Sequence, residues 1–471
     1  MHLPNYNDAR RRVNKDYKRI DFNFDSKIKN KYKGKTFFIK TYGCQMNEHD
    51  SENIIALLVG LGFKQVDTYE DADLVLLNTC SIRENAHNKA FGMLGRLKHL
   101  KSKNPNLLVG LCGCMAQEAS VIDEILDKYK WVNFVFGTHN MYQLPNILDK
   151  AIEENKQQIE VFSEEGDLVE GLPVVRANTY KAYVNIIYGC NKFCTYCIVP
   201  YTRGRERSRK KEDILKEIDE LIKDGYKEVT LLGQNVNAYG KDLYDDYTLS
   251  NLLEDIAKKD IPRIRFMTSH PWDFTDSMIE VIGKYKNIMP SVHLPVQSGS
   301  SRILKLMGRR YTKESYLELF DKIKKIVPGV AISTDIIVGF PGETEEDFLE
   351  TLDLVERCKY DNAFTFIFSK REGTPACRLL DEVSLEEKEE RLQRLNKVVN
   401  KYFLENNKKL EGKKVLVLVE GESEKKGMYF GYTETNKLIN FTSDEELEVG
   451  EIVEVKVVEA KTWSLDGELC G

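Results

Sequence analysis

Between residues 36 and 150, short apolar runs alternate with stretches of helical spacing. The runs are TFFIKTY (36–42), LVLLNT (74–79), LLVGLCG (107–113) and NFVFGT (133–138). In SENIIALLVGL, RENAHNKAFGMLGRLKHL and ASVIDEILDKY, apolar residues return every three or four positions, as on one side of a helix. Strand–helix alternation of this kind predicts a parallel α/β sheet. Residues 151–178 are charged and read as a connector ending in the strand-like PVVRA. A second series follows: KAYVNIIY (181–188), EVTLLG (228–233), RIRFMTS (263–269), SVHLPV (291–296), AISTDIIVGF (331–340) and NAFTFIFS (362–369). Helical segments such as KEDILKEIDELIKDG and KESYLELFDKIKKIV separate these runs. Six βα units in succession predict a partial (β/α)6 barrel over residues 179–407, closed by a strongly helical stretch from about 385. Residues 408–471 change character again. KKVLVLVEGE, MYFGYTET, KLINFTS and GEIVEVKVVEA are short strands between turns, expected to form a small all-β barrel. The fold class is therefore α/β, with an N-terminal parallel domain over 35–150 preceded by a basic extension, 1–34, expected to be flexible.

Composition narrows the function classes. A chain of 471 residues, 42% hydrophobic and 31% charged, reads as globular with two or three domains. No apolar run is long enough for a bilayer, so no membrane partner is expected. The first residues lack the apolar core of a secretory signal, which makes a cytoplasmic location the default. In that compartment thiols stay reduced, and the ten cysteines point to metal binding or catalysis before disulfides. The net charge of −6 gives no general case for nucleic-acid binding. Charge is uneven, however. Arg10, Arg11, Arg12, Lys15, Lys18 and Arg19 crowd the first segment, read as a solvated tail, and TRGRERSRKK (202–211) is a second basic run able to meet phosphates.

The cysteines carry the chemistry. In GCNKFCTYC (189–197), Cys190, Cys194 and Cys197 place three thiols on one tight loop after the first strand of the second series. Soft thiolates suit iron–sulfur clusters or zinc. A closed zinc site wants a fourth ligand, and no histidine lies between residues 140 and 269. A [4Fe–4S] cluster on three cysteines leaves one iron open to a small molecule. Elsewhere, Cys44, Cys80 and Cys114 each follow a strand of the first series. Parallel strands bring their carboxyl ends to one sheet edge, so residues spread over this distance can converge there. Cys112 is expected to point the other way from Cys114 and reads as core.

Cys-x3-Cys-x2-Cys after the first strand of a partial barrel resembles the radical S-adenosylmethionine (SAM) superfamily. TYGCQMNEHDSE, LLNTCSIRENA, LCGCMAQE, YGCNKFCTYCIVPYTRGRERSR, LLGQNVNAYG, HLPVQSGS, STDIIVGFPGET and REGTPA are similar, more narrowly, to its MiaB-type tRNA methylthiotransferases. The resemblance runs from about residue 35 to the carboxyl end. It implies a radical SAM core, a C-terminal RNA-binding TRAM domain, SAM as cofactor and two [4Fe–4S] clusters. Cys190, Cys194 and Cys197 would hold the SAM-binding cluster, and Cys44, Cys80 and Cys114 an auxiliary one. The implied reaction replaces an unactivated adenine C–H with a methylthio group. One SAM supplies the methyl group and a second the radical. CSIRENA resembles the members acting on N6-isopentenyladenosine at tRNA position 37. Other relatives modify threonylcarbamoyl-adenosine or a ribosomal-protein aspartate.

The same resemblance implies partners and further contacts. The anticodon stem-loop of tRNA would be substrate, and a flavodoxin or ferredoxin the electron donor; no sulfur donor is identified. Gly233, Gln234 and Asn235 end the second barrel strand, where the superfamily contacts the SAM amino group. Gln297 and Ser298 end the fourth. Gly339 on the fifth would let backbone approach adenine. Each of these is equally an ordinary strand-end turn residue. Arg203 and Arg205 could pair with phosphate or the SAM carboxylate. Phe193 and Tyr196, between the ligands, are expected to shield the cluster rather than bind RNA, and His139, His270 and His293 to be structural. Tyr429, Phe430, Tyr432 and Trp463 could stack on bases or fill the last domain's core.

Overall fold

The computed structural model describes residues 9, 17–81, 84–162, 167–424 and 427–470. The chain divides into two compact units. One contains residues 1–177, 188–209 and 371–377; the other contains 178–187, 210–370 and 378–471. The three-cysteine loop thus belongs with the first unit.

The first unit is built on a six-stranded sheet. Its spatial order is Lys64–Gln65, Thr36–Tyr42, Leu74–Thr79, Leu108–Gly113, Phe134–Phe136 and Gln158–Glu160, all parallel. Leu74–Thr79 is buried at every position, as expected of a strand covered on both faces. Leu74 and Leu76 pack with Phe37, Ile54, Leu57 and Phe134 on one side. Val75 and Leu77 pack with Leu94, Val109 and Ile122 on the other. The chain leaves Thr36–Tyr42 for one neighbour and then returns to its other side. That reversal is a topological switch point, where such sheets offer a crevice beyond their carboxyl ends.

Two expectations need correction. Of the extension, residues 17–34 are fixed to the sheet domain. Arg19–Asp21 pairs in parallel with Leu168–Glu170, and Phe22, Phe24, Ile28 and Tyr32 pack on the apolar core. Apolar residues spaced through a basic segment gave it a face to bury, which the charge count hid. Arg10, Arg11, Arg12 and Lys15 lie outside the described residues. PVVRA makes no strand; it is held by Val175 N–H to Glu52 O (3.2 Å) and Ala177 N–H to Glu52 Oε1 (2.9 Å).

In the second unit the expected six strands form two parallel three-stranded sheets. One has the order Arg263–Phe266, Glu228–Leu232, Lys181–Asn185, and the other Ser291–His293, Ala331–Val338, Asn362–Ile367. A bridge from Ile264 to Ile288 continues the series. Helices pack on one face of these strands over a single core. Residues 414–469 form a closed five-stranded barrel whose fifth strand, Leu465–Leu469, is too polar to stand out in sequence. Tyr429 stacks on Phe441 inside it, whereas Trp463 is exposed. Buried Arg263 and Arg265 donate to the carbonyls of Leu416, Tyr432, Thr433 and Glu434, tying barrel to sheet.

Candidate cysteine centres

Cys44 caps the helix Gln45–Gly60 immediately beyond the strand Thr36–Tyr42. Cys80 follows Leu74–Thr79, and Cys114 opens a 3₁₀ turn after Leu108–Gly113. All three stand on the switch-point edge of the sheet. A buried polar network fixes the loops that carry them. Asn47 Nδ2 donates to Asn78 Oδ1 and to the Thr79 carbonyl, each at 3.3 Å. Asn78 Nδ2 donates to the Asn47 carbonyl and to Ser51 Oγ, each at 2.8 Å. Cys44 N–H donates to Asn47 Oδ1 (3.4 Å), and Thr79 Oγ1 donates to the Cys112 carbonyl (3.0 Å). Buried amides satisfied in this way rigidify what they connect.

Arg203 supplies the charge. Its guanidinium is buried, with Nε donating to Cys114 Sγ at 3.0 Å and Nη2 to Asp50 Oδ2 at 2.6 Å. Burial opposes its positive charge, but Asp50 and the Cys114 sulfur hold its pKa well above the ordinary value. The Cys44 thiol is drawn down to about 6. Its hydrogen bond with Cys80 is the main cause; burial opposes the shift, while Arg203 and the first-turn N–H groups of Met46 and Asn47 assist it. Burial pushes Cys114 up, with Arg203 working against that. Arg203 was expected to meet phosphate or the SAM carboxylate. Its observed partners are Asp50 and Cys114, because a guanidinium out of water needs a fixed anion.

The second cysteine set sits on a loop of unusual backbone. Gly189, Phe193 and Gly204 have φ of 76°, 50° and 75°. A Cβ on Gly189 would lie 2.0 Å from the Arg205 carbonyl oxygen, so only glycine fits. Cys190 N–H donates to the Gly204 carbonyl and Cys197 N–H to that of Cys194, both at 3.0 Å. Ala376 N–H, within REGTPA, donates to the Thr195 carbonyl at 2.9 Å. Phe193 packs with Ala9, Ile198 and Tyr201. Burial and the neighbouring Glu206 carboxylate hold Cys190 well above the ordinary thiol range. The chain then runs through the short helix Val199–Thr202 to Arg203. Thr138 Oγ1, beyond another strand of the sheet, donates to the Thr202 carbonyl at 2.7 Å. The segment leaving one cysteine set is therefore clasped to the sheet edge that carries the other.

Among the described residues, no three His, Cys, Asp or Glu side chains converge as they would on a single ion. A cubane cluster binds its cysteines through separate irons, so its sulfurs stand apart. Each set offers three soft donors, and the sheet-edge set adds a buried cation. That chemistry fits an anionic iron–sulfur cluster.

The remaining candidates lie in the second unit. Asn235 is buried and donates from Nδ2 to Asp273 Oδ2 at 2.7 Å. Gly233 and Gln234 precede it; a Cβ on Gly233 would strike Ile187. Gln297 is held at φ 74° by backbone bonds to Asp335 and Ile337. Ser298 is wholly buried, with Oγ 3.4 Å from Thr351 Oγ1 and accepting from Ser300 N–H (3.2 Å). Gly339, at φ 68°, is approached by the Lys388 side chain, 2.2 Å from where a Cβ would stand. Asp50, Asn47 and Asn78 escaped the sequence reading, since one polar residue inside a helix or strand looks like solvent-facing surface. A signal did exist: Cys44, Cys114 and Cys190 each follow a glycine with no room for a side chain.

Comparison with known proteins agrees with this anatomy. Residues 184–355 match the model of the Radical SAM superfamily, 36–137 that of Uncharacterized protein family UPF0004, and 408–470 that of the TRAM domain. A Bacillus cytotoxicus protein named tRNA-2-methylthio-N(6)-dimethylallyladenosine synthase is 56% identical over 99% of this chain and 92% of its own. A Staphylococcus epidermidis protein of the same name is 55% identical over 98% and 91%. The chain belongs to this family of radical SAM enzymes. The match includes the amino-terminal extension, beyond the point where the motifs begin. A solved structure of TsrM, a radical SAM methyltransferase from Kitasatospora setae, aligns with TM-score 0.54 over 73% of this chain and 75% of that one, at 14% identity, a likeness of fold alone.

Proposed function

We infer that this protein converts N6-isopentenyl (dimethylallyl) adenosine at position 37 of tRNA to its 2-methylthio derivative. The name borne by its relatives and the TRAM domain support tRNA as substrate. The observation that carries the reading furthest is the Arg203 bridge, which ties the segment after Cys190, Cys194 and Cys197 to Cys114 and Asp50. Cys190, Cys194 and Cys197 would hold the cluster that binds SAM, and Cys44, Cys80 and Cys114 a second cluster. Clusters held there would supply a reducing electron to SAM and a binding place for sulfur.

The chain's own residues bind, orient and exclude water. Asn47, Asn78 and Thr79 fix the sheet-edge loops, and Arg203 offsets negative charge on the thiolates. Phe193 keeps the cysteine loop covered on one side. Among the described residues no helix is long and apolar enough to cross a membrane. A flavodoxin or ferredoxin is proposed as reductant.

The test is anaerobic reconstitution with iron and sulfide, then reductant, SAM and isopentenyl-modified tRNA. Digested nucleosides are read by mass spectrometry, with threonylcarbamoyl-modified tRNA in parallel. A methylthio product from the isopentenyl tRNA alone is expected. Product from the parallel tRNA alone overturns the substrate, and SAM cleavage with neither product places the target elsewhere, with a ribosomal-protein aspartate tested next.

A further inference from the structure

The last strand of the second unit presents two exposed phenylalanines. On Asn362–Ile367, Ala363 and Ile367 pack toward the helices, and Thr365 Oγ1 bonds Asn396 Oδ1 of the helix Leu385–Lys408 at 2.7 Å. Alternation turns Phe364 and Phe366 to the opposite face, where they are 48% and 45% exposed. The neighbouring strand repeats the pattern. Ile332, Thr334, Ile336 and Val338 are buried, while Ser333, Asp335 and Ile337 are half-buried on the helix-free face. The register sets Asp335 beside Phe364 and Ile337 beside Phe366. His293 lies edge-on to Phe364, with ring centroids 6.0 Å apart. Its Nδ1 is 2.9 Å from Ser333 Oγ, and its Nε2 is 3.3 Å from Asp335 Oδ2. The result is an apolar platform with one carboxylate at its edge.

Adjacent large apolar side chains left in water on a sheet face mark a surface that a ligand covers. We propose that Phe364, Phe366 and Ile337 receive the isopentenyl substituent of the target adenosine, and that Asp335 selects for a neutral substituent. This rests on the function inferred above and names the residues that would choose the substrate. The chemistry is complementary. The five-carbon chain is apolar, so it gains by displacing water from the rings. The N6–H of the base is a donor, and Asp335 is an acceptor beside the rings. A threonylcarbamoyl group carries its own carboxylate and would bring a second negative charge next to Asp335.

The experiment measures binding and product on the same preparation of the full, reconstituted chain. Fluorescent anticodon stem-loops carry isopentenyladenosine, plain adenosine or threonylcarbamoyl-adenosine at the target position. The native protein should bind the isopentenyl stem-loop roughly tenfold or more tighter than the plain one, the scale of one stacked or buried group. Phe364→Ala/Phe366→Ala should abolish that ratio and leave plain stem-loop binding unchanged. Phe364→Leu/Phe366→Leu should keep part of it, since leucine is still apolar. Asp335→Asn should narrow the gap between isopentenyl and threonylcarbamoyl stem-loops. Both rings are exposed, so an unchanged thermal midpoint should show that the fold survives. A double-alanine variant retaining the native ratio overturns the platform, as does a native protein that makes product yet binds all stem-loops alike. No methylthio product from the native protein refutes the inferred function instead.

Discussion

The two cysteine sets solve one problem in opposite ways. Cys44, Cys80 and Cys114 are far apart in sequence and are gathered by a rigid sheet, through the shared direction of three strands. Cys190, Cys194 and Cys197 are gathered by one loop, which requires left-handed backbone at Gly189, Phe193 and Gly204. Their electrostatics differ too. The sheet-edge set has a buried guanidinium, and its Cys44 thiol is drawn down to about 6. The loop set has Glu206 nearby, and Cys190 is pushed up. The sheet edge can therefore present one thiolate, that of Cys44, ahead of any metal, whereas Cys190 on the loop would depend on a bound metal to draw its proton off.

The largest expected effect separates the two by role. Cys190→Ala should abolish reductive cleavage of SAM, followed as 5′-deoxyadenosine by chromatography. Cys80→Ala should spare cleavage and stop methylthio product. Loss of both steps in Cys80→Ala would break the division of labour. Next comes Gly189→Ala. Its new methyl group would meet the Arg205 carbonyl at φ 76°, so the loop cannot keep its shape. Bound iron and sulfide should fall by about half, since the sheet-edge set is untouched. Full iron content would show that the loop tolerates a different backbone.

The same contrast explains what could be read without coordinates. The loop set is legible because its spacing is local. The sheet-edge set was legible through periodicity, since each cysteine follows an apolar run. Arg203 could be seen only as one basic residue among several. Its pairing with Asp50 spans 153 positions, a separation that no spacing rule reaches. Lys64–Gln65 and Leu465–Leu469 were missed because short, polar edge strands carry no alternation to detect. Phe364 and Phe366 lie in a strand that was recognised, but their exposure depends on which face the helices cover.

A smaller effect tests the electrostatic half of the comparison. Arg203→Met leaves Asp50 buried without its cation. That should cost about 3–5 kcal/mol, read as a lower urea midpoint of the iron-free protein. Asp50→Leu added to Arg203→Met should recover most of the loss, because the pair is then replaced by apolar volume. If the single variant unfolds like the native chain, the guanidinium is not what the fold relies on at that edge.

The smallest effect concerns the cysteine beside the site. Cys112 lies two residues before Cys114, yet its side chain belongs to the apolar cluster with Phe37, Leu76 and Phe134. Burial holds its thiol well above the ordinary range, so it has little thiolate to offer a metal. Strand alternation does not separate it from Cys114, since two steps along a strand return to the same face. The separation arises because Gly113, at φ 92°, ends the strand and turns Cys114 toward the edge. Cys112→Ala should therefore leave iron content and SAM cleavage unchanged and lower stability by roughly 1 kcal/mol for the lost sulfur contacts. A fall in bound iron would mean that Cys112 exchanges with Cys114 as a ligand, and the rigid presentation attributed to the sheet edge would fail.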